Sequence, residues 1–122
     1  MSPTLRWVTT RDFRIKVRGV FEHLSDQQRA ELLATAAEHD LFGAEFTPEG
    51  HLSYDLAARP FFTFRFADSG ESDEDLTAAT ERAESAARGW LEERGLGYRL
   101  IQTQAEDLSQ APLSKRQRRA QQ

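Results

Sequence analysis

Three residue types of a hydrolase triad occur together near the middle of the chain, as His51, Ser53 and Asp55. The segment alternates polar and apolar residues, so these three share one face of a predicted strand. Neighbours on a strand face lie roughly 6.5–7 Å apart, whereas a working triad needs contacts of about 2.6–3.2 Å. The strained turn that exposes a nucleophilic serine is also missing. The pattern therefore indicates an ordinary polar strand face.

A second catalytic hypothesis uses proton transfer instead of a nucleophile. Histidine is a residue type used for acid–base catalysis near neutral pH, and His51 could act with Tyr54 or Asp55 as acid–base groups in a cavity. Cofactor-independent enzymes built as dimeric α+β barrels work in this way. The sequence shows no pocket that would bring the three side chains together, so this enzyme remains the alternative hypothesis.

Carboxylates and histidines are present, but not at metal-binding spacings. The acidic run comprises Asp68, Glu71, Asp73, Glu74 and Asp75. It lacks the spacing and the closing bidentate glutamate of the twelve-residue calcium loop, and it is better explained by its place at a predicted helix start. His23 and His39 only flank a helix, whereas zinc needs three or four converging ligands. The sequence therefore predicts no metal and no cofactor.

Basic and aromatic side chains on two predicted strands provide the chemistry for a binding site. The members are Arg14, Lys16 and Arg18 on one strand and Phe61, Thr63 and Arg65 on the other. RNA-recognition sheets combine such groups to stack bases and hold phosphates, but they use two or three exposed aromatics and a glycine–aromatic consensus. This face could therefore be solvated, could meet a second protein chain or the chain's own tail, or could bind RNA or another anionic ligand.

The end of the chain is basic, through Lys115, Arg116, Arg118 and Arg119. Without these four residues, 12 basic residues stand against 20 acidic ones, a balance of −8 compared with −4 for the whole chain. Basic clusters bind nucleic acid or acidic surfaces, although four charges give only a modest, salt-sensitive attraction. A solubilising terminus and a tail folded onto the acidic body are the other interpretations.

Two strands and two helices are predicted to position these residues. Residues 13–21 alternate strictly, with Phe13, Ile15, Val17 and Phe21 facing the core. Residues 61–66 form the central strand, on which three phenylalanines share the core face. Those phenylalanines are Phe62, Phe64 and Phe66.

Both helices begin with a recognisable cap. Ser25 and Gln28 form a capping box for a helix predicted to end near His39. Its buried stripe is predicted to be Leu32, Leu33, Ala36 and Ala37. Ser72 caps the second helix, which Gly95 ends in a left-handed conformation. The stripe of that helix is predicted to be Leu76, Ala79, Ala83, Ala86, Ala87, Trp90 and Leu91.

The remaining segments complete the plan. Residues 41–46 are predicted as a short strand and residues 47–50 as a turn. Residues 51–56 are predicted as a strand whose inward residues are Leu52, Tyr54 and Leu56. Residues 68–71 are predicted as a loop and residues 98–103 as the last strand. The order predicts an α+β fold, a ferredoxin-like split β-α-β sandwich. Its mainly antiparallel sheet has four strands, or five if residues 41–46 pair, and two helices cover one face. An N-terminal arm (1–11), one domain (12–108) and a basic flexible tail (109–122) are expected.

Composition narrows the class of protein further. At 122 residues the chain is predicted to form one domain. The absence of cysteine excludes disulfides and thiolate chemistry. No apolar run reaches the roughly 20 residues of a membrane span, and no secretory signal is apparent, so we expect no membrane association and a cytoplasmic location.

Two segments carry a resemblance to a known family. EFTPEGHLSYDLAARPFFTFRF and AEDLSQAPL resemble an uncharacterised family of small actinobacterial proteins, a domain of unknown function, over roughly residues 13–113. The resemblance implies no activity, ligand or site residue. From the residues themselves we expect a small binding or interaction module that self-associates or binds a protein partner through its sheet. RNA or anionic-ligand binding by the open face and the tail is the second alternative.

Overall fold

The computed structural model describes residues 10–108, and its elements follow the order β-α-β-β-α-β. They are β1 (Arg11–Phe21), α1 (Asp26–Ala34), β2 (His51–Tyr54), β3 (Phe61–Gly70), α2 (Asp73–Glu93) and β4 (Tyr98–Asp107). Two short 3-10 helices, Ala36–His39 and Leu41–Gly43, lie between α1 and β2. The predicted α+β class is confirmed.

The four strands form one open antiparallel sheet in the order β2-β3-β1-β4. The central pair is β1 and β3, which the chain joins only through α1 and β2. No fifth strand occurs in residues 10–108. The ferredoxin-like assignment stays a prediction.

The core lies between the sheet and the helices, and it is built on the predicted alternation. Val17 stands opposite Phe64, and Ile15 opposite Phe66, with all four side chains buried. Phe62 and Phe64 pack edge to face with ring centroids 5.7 Å apart. Because aromatic side chains remove large apolar areas from water, this row of rings anchors the domain.

α2 covers the core as predicted, with one exception. The Ser72 hydroxyl accepts a hydrogen bond from the Asp75 amide, and the Asp75 carboxylate accepts one from the Ser72 amide, which completes a capping box. Small and branched residues of the stripe are buried, namely Ala79, Ala83, Ala87 and Leu91. Ala86 is exposed, so its predicted burial is wrong. Gly95 ends the segment with φ of +66°, as expected.

α1 has the predicted capping box but ends five residues early, at Ala34. The cause is Tyr54, whose hydroxyl donates to the Leu32 carbonyl at 2.5 Å, while the Thr35 hydroxyl donates to the Glu31 carbonyl. The two hydroxyls thus bind carbonyl groups in the last turn of α1, and the 3-10 helix Ala36–His39 follows. The predicted stripe is therefore wrong at two positions, because Leu33 and Ala37 are exposed.

The connecting segments deviate most from the predictions. Residues 41–46 do not form a strand, because Asp40 caps a 3-10 helix by accepting from the Phe42 amide at 3.0 Å. The turn at 47–50 is confirmed, with Gly50 donating to the Thr47 carbonyl. The predicted loop at 68–71 is wrong for its first three residues, which extend β3, and β4 continues four residues beyond its predicted end.

Candidate functional site

The side chains of the sheet that point away from the helices form a surface that we call the outer sheet face. Its centre lies on β1 and β3, where Lys16 stands opposite Arg65 and Arg18 opposite Thr63. Arg14, Lys16, Arg18, Phe61, Thr63 and Arg65 therefore lie side by side, as the sequence predicted. Gln102, Gln104 and Glu106 continue this face on β4. Neither α-helix packs on it.

The outer sheet face is basic at its centre. Within residues 10–108, the ion pairs lie elsewhere, and none involves Arg14, Lys16, Arg18 or Arg65. Unpaired cations concentrated on one side of an otherwise acidic domain create a local positive potential. The face can therefore attract an anionic group even though the chain carries a net charge of −4.

Arg65 is the most constrained of these cations. Its Nη1 donates to the Ser53 hydroxyl at 2.7 Å, which couples β3 to the neighbouring edge strand. Burial lowers the pKa of Arg65 below its ordinary value, but an arginine stays protonated at neutral pH. Arg65 thus supplies a fixed charge, whereas Arg14 and Arg18 are exposed and can adjust to a partner.

Phe46 is a member of the outer sheet face that the sequence interpretation missed. The guanidinium carbon of Arg14 lies 5.0 Å from the centre of the Phe46 ring, a cation–π contact. Thr47 holds this segment in place, since its carbonyl accepts from the Ala67 amide at 2.8 Å. Phe46 was assigned to a strand that does not exist, and no local pattern signals a single bridge between Thr47 and Phe66.

Two shallow depressions lie at opposite ends of the outer sheet face. The first, of about 470 Å³, is lined by Arg14, Lys16, Phe46, Gln104, Ala105 and Glu106. The second, of about 280 Å³, lies beside Arg18, Thr63 and Phe61. The Phe61 side chain keeps 39% of its surface exposed. Each depression thus combines an aromatic ring with a cation.

The acid–base candidates are not brought together. Tyr54 is buried on the core side, and burial raises its pKa above the ordinary value of 10.0. Asp55 is exposed beyond the end of β2. His51 lines a different depression from the two that Tyr54 and Asp55 share. Within residues 10–108, His51 is thus separated from the depressions that Tyr54 and Asp55 line.

The triad-like residues are separated in the same way. Ser53 is buried, and its hydroxyl accepts from Arg65. The Nε2 atom of His51 is buried without a hydrogen-bond partner in residues 10–108, and no hydrogen bond joins it to Ser53 or Asp55 there.

The acidic run acts as the sequence suggested. The Asp75 carboxylate accepts from the Glu71 and Ser72 amides, and these bonds, the Glu71 one first, lower the pKa of Asp75. Asp68 pairs with Arg82 at 2.9 Å. In the described part of the chain, no group of three or more histidines and carboxylates could hold a metal ion. The basic cluster at 115–119 and most of the N-terminal arm lie outside the described residues.

Comparisons with known proteins identify the family and little else. Neither α-helix in residues 10–108 is long and apolar enough to cross a membrane. No curated protein and no solved structure matches the chain. A family model described as a family of unknown function, DUF6204, matches residues 8–119, which confirms the resemblance to a domain of unknown function. The actinobacterial source stays a prediction. The chain therefore belongs to the family of unknown function DUF6204.

Proposed function

We propose that the chain is a non-enzymatic binding module whose outer sheet face binds an acidic segment of a partner protein. One observation carries this proposal: Arg14, Lys16 and Arg18 stand beside Arg65 with no carboxylate paired to any of them in the described residues. Charged groups held together on one face supply both attraction and specificity for a complementary partner.

The same charges oppose self-association through this face. A two-fold symmetric contact places identical patches against each other, so the cations of one copy would meet those of its partner. Like charges brought together at an interface cost several kcal/mol. The four basic residues of the tail would likewise bring positive charge to a positive face. A carboxylate-rich partner is therefore favoured over either.

A protein segment also fits better than RNA. The two aromatic side chains of the face stand at opposite ends, and the Phe46 ring is already in contact with Arg14. RNA-binding sheets instead place two or three free rings centrally. The acidic remainder of the domain would also repel a long polyanion, whereas a short acidic segment can stay within the face.

The enzyme alternative has less support. Proton transfer needs groups within hydrogen-bond reach of one bound substrate. The side chains of Tyr54 and His51 line separate depressions, and the Tyr54 hydroxyl is committed to Leu32 and Thr35.

Fluorescence anisotropy with two labelled probes tests the proposal. The probes are an oligoglutamate peptide and an oligouridine of equal charge, both at low salt. We expect the peptide to bind, and the triple variant Arg14→Ala/Lys16→Ala/Arg18→Ala to lose at least about tenfold in affinity. The matched control, Arg82→Ala/Arg88→Ala/Arg94→Ala, removes the same charge from α2 and its end and should keep binding.

Each other outcome overturns the proposal. Stronger binding of oligouridine would establish the nucleic-acid alternative. Equal losses in both triple variants would mean unspecific attraction to total charge. No binding of the peptide at low salt would leave the outer sheet face a solvated surface.

A further inference from the structure

β4 has one long edge that nothing in the described residues occupies. β4 is the last strand of the sheet, and within the described chain its residues 98–106 pair with β1 on one side only. At roughly 3.3 Å per residue, the free edge is roughly 30 Å long. The strand contains neither proline nor lysine, two residues that commonly block unwanted pairing at sheet edges.

The opposite edge of the sheet is treated differently. β2 has only four paired residues, and the 3-10 helix Ala36–His39 packs against it. His39 Nδ1 donates to the Leu52 carbonyl at 3.1 Å, which caps an outward backbone group. The β2 edge of the sheet is thus short and covered by a 3-10 helix, whereas the β4 edge is long and uncovered by the described residues.

We propose that β4 is a self-association surface on which a second copy of this chain adds its own β4 in antiparallel orientation. An open edge presents unpaired amides and carbonyls that another strand can satisfy. Two antiparallel copies related by a two-fold axis would join the two sheets into one continuous eight-stranded sheet.

The side chains of β4 favour a second copy over an unrelated strand, because their charges are self-complementary. Arg99 lies near one end of the strand and Glu106 near the other, and both point to the outer sheet face, opposite Val20 and Arg14. With the two-fold axis at Thr103, Arg99 of each copy stands opposite Glu106 of its partner. Two symmetry-related ion pairs, each between Arg99 of one copy and Glu106 of the other, then flank the axis. No two charges of the same sign face each other.

β4 contains a β-bulge, an extra residue without a partner on β1. This bulge accounts for the unequal sequence spacing of Arg99 and Glu106 from the proposed axis. Arg18 pairs with Gln102 and Gly19 with Leu100, so Ile101 has no partner on β1. The extra residue explains why Arg99 is four residues from Thr103 while Glu106 is three. Ile101 has 49% of its surface exposed. With the bulge counted, the two ends of the strand are equidistant from the axis.

Both charged side chains are available for such a contact. The Arg99 side chain is 65% exposed and pairs with Glu22 through Nε at 3.0 Å. Its two terminal nitrogens can therefore still donate to a second carboxylate. Glu106 is exposed and has no ion-pair partner among residues 10–108.

Sedimentation equilibrium over a wide concentration range, with charge-swapped variants, tests the proposal. We expect the wild type to dimerise, and Arg99→Glu or Glu106→Arg alone to raise the dimer dissociation constant about tenfold or more. The double variant Arg99→Glu/Glu106→Arg should recover most of the loss, because the swapped charges are again complementary. Circular dichroism confirms that each variant folds.

Two controls separate this edge from other surfaces. Arg82→Glu changes an exposed charge on α2 that pairs with Asp68, and Phe61→Glu changes the outer sheet face; both should leave the dimer intact. A dimer abolished by Phe61→Glu but indifferent to the β4 variants would overturn the proposal. A strict monomer at millimolar concentration, or single variants that dimerise like the wild type, would overturn it as well. The dimer is measured without peptide, so its formation can be judged whether or not the outer sheet face binds peptide.

Discussion

The two faces of the central strand pair, β1 and β3, are made by alternate residues of the same ten-residue stretches. On the inner face, Val17 and Phe64 are buried against α2. One residue further along each strand, on the outer sheet face, stand Arg18 and Arg65. Both sets share one backbone, so only their side chains and their neighbours distinguish them.

This contrast separates two roles within one sheet. The inner face stabilises the fold, because burial of apolar area is the dominant favourable contribution to folding. The outer sheet face contributes little to stability, because exposed charges interact weakly with each other in water. Substitutions on the inner face should therefore change the free energy of unfolding, and substitutions on the outer face should change binding.

The largest effect is expected at the centre of the inner face. Phe64→Ala removes a buried ring that packs against Phe62, Phe66 and Trp90, and should cost about 3–5 kcal/mol of unfolding free energy. The matched variant Thr63→Ala, one residue away on the outer face, should cost less than about 1 kcal/mol. Urea denaturation measures both, and equal losses would contradict the division between the faces.

A smaller loss of unfolding free energy is expected at Gly19, the position of the inner face of β1 that has no side chain. An added methyl group at Gly19 would overlap the ring of Phe62 and lie 2.7 Å from the Arg99 carbonyl oxygen. Gly19→Ala should therefore destabilise the protein by about 1–3 kcal/mol through overpacking. Thermal unfolding tests this, and an unchanged midpoint would show that both the Phe62 ring and the backbone at Arg99 can move aside.

The hydroxyl of Tyr54 gives the inner face a dependence on pH. Burial raises the pKa of Tyr54 above its ordinary value of 10.0, with a further rise from Glu38. The neutral form is thus favoured by folding, so this stabilisation is complete below about pH 10 and is lost as the pH rises through the folded-state pKa.

The variant Tyr54→Phe isolates that contribution. Because it removes the hydrogen bond to Leu32, it should cost about 1 kcal/mol at neutral pH. Above pH 10, the stability of the wild type should fall more steeply than that of the variant. Parallel curves in urea denaturation at several pH values would show that the hydroxyl is not linked to folding.

The smallest effect on stability is expected at the exposed cation Arg18. Arg18→Ala should change the unfolding free energy by no more than about 0.5 kcal/mol, because Arg18 has no ion-pair partner in residues 10–108. The same variant should weaken peptide binding and make it less sensitive to salt. A large loss of stability would instead make Arg18 part of the structural framework.

The part of this structure that the sequence predicts is the part in which polar and apolar residues alternate regularly. The strict period of residues 13–21 and the row of Phe62, Phe64 and Phe66 predict both faces of β1 and β3. The capping box at Ser25 and the cap at Ser72 predict both helix starts. The outer sheet face can be predicted from these two strands, because residues that point to the same side of adjacent antiparallel strands lie next to each other.

The remainder depends on contacts between residues distant in sequence. Tyr54 ends α1 from β2, twenty-two residues away. Thr47 pairs with a single residue of β3 and thereby places Phe46 over Arg14. Neither contact leaves a periodic signal, so the early end of α1 and the second aromatic ring could not be predicted.

The most direct test of the central claim is an NMR titration that follows arginine side-chain Nε–Hε signals while oligoglutamate peptide is added. We predict saturable shifts for Arg14, Arg18 and Arg65, with Arg82 and Arg88 on α2 unchanged. Shifts concentrated on the α2 arginines, or no saturable shift at low salt, would contradict a binding role for the outer sheet face.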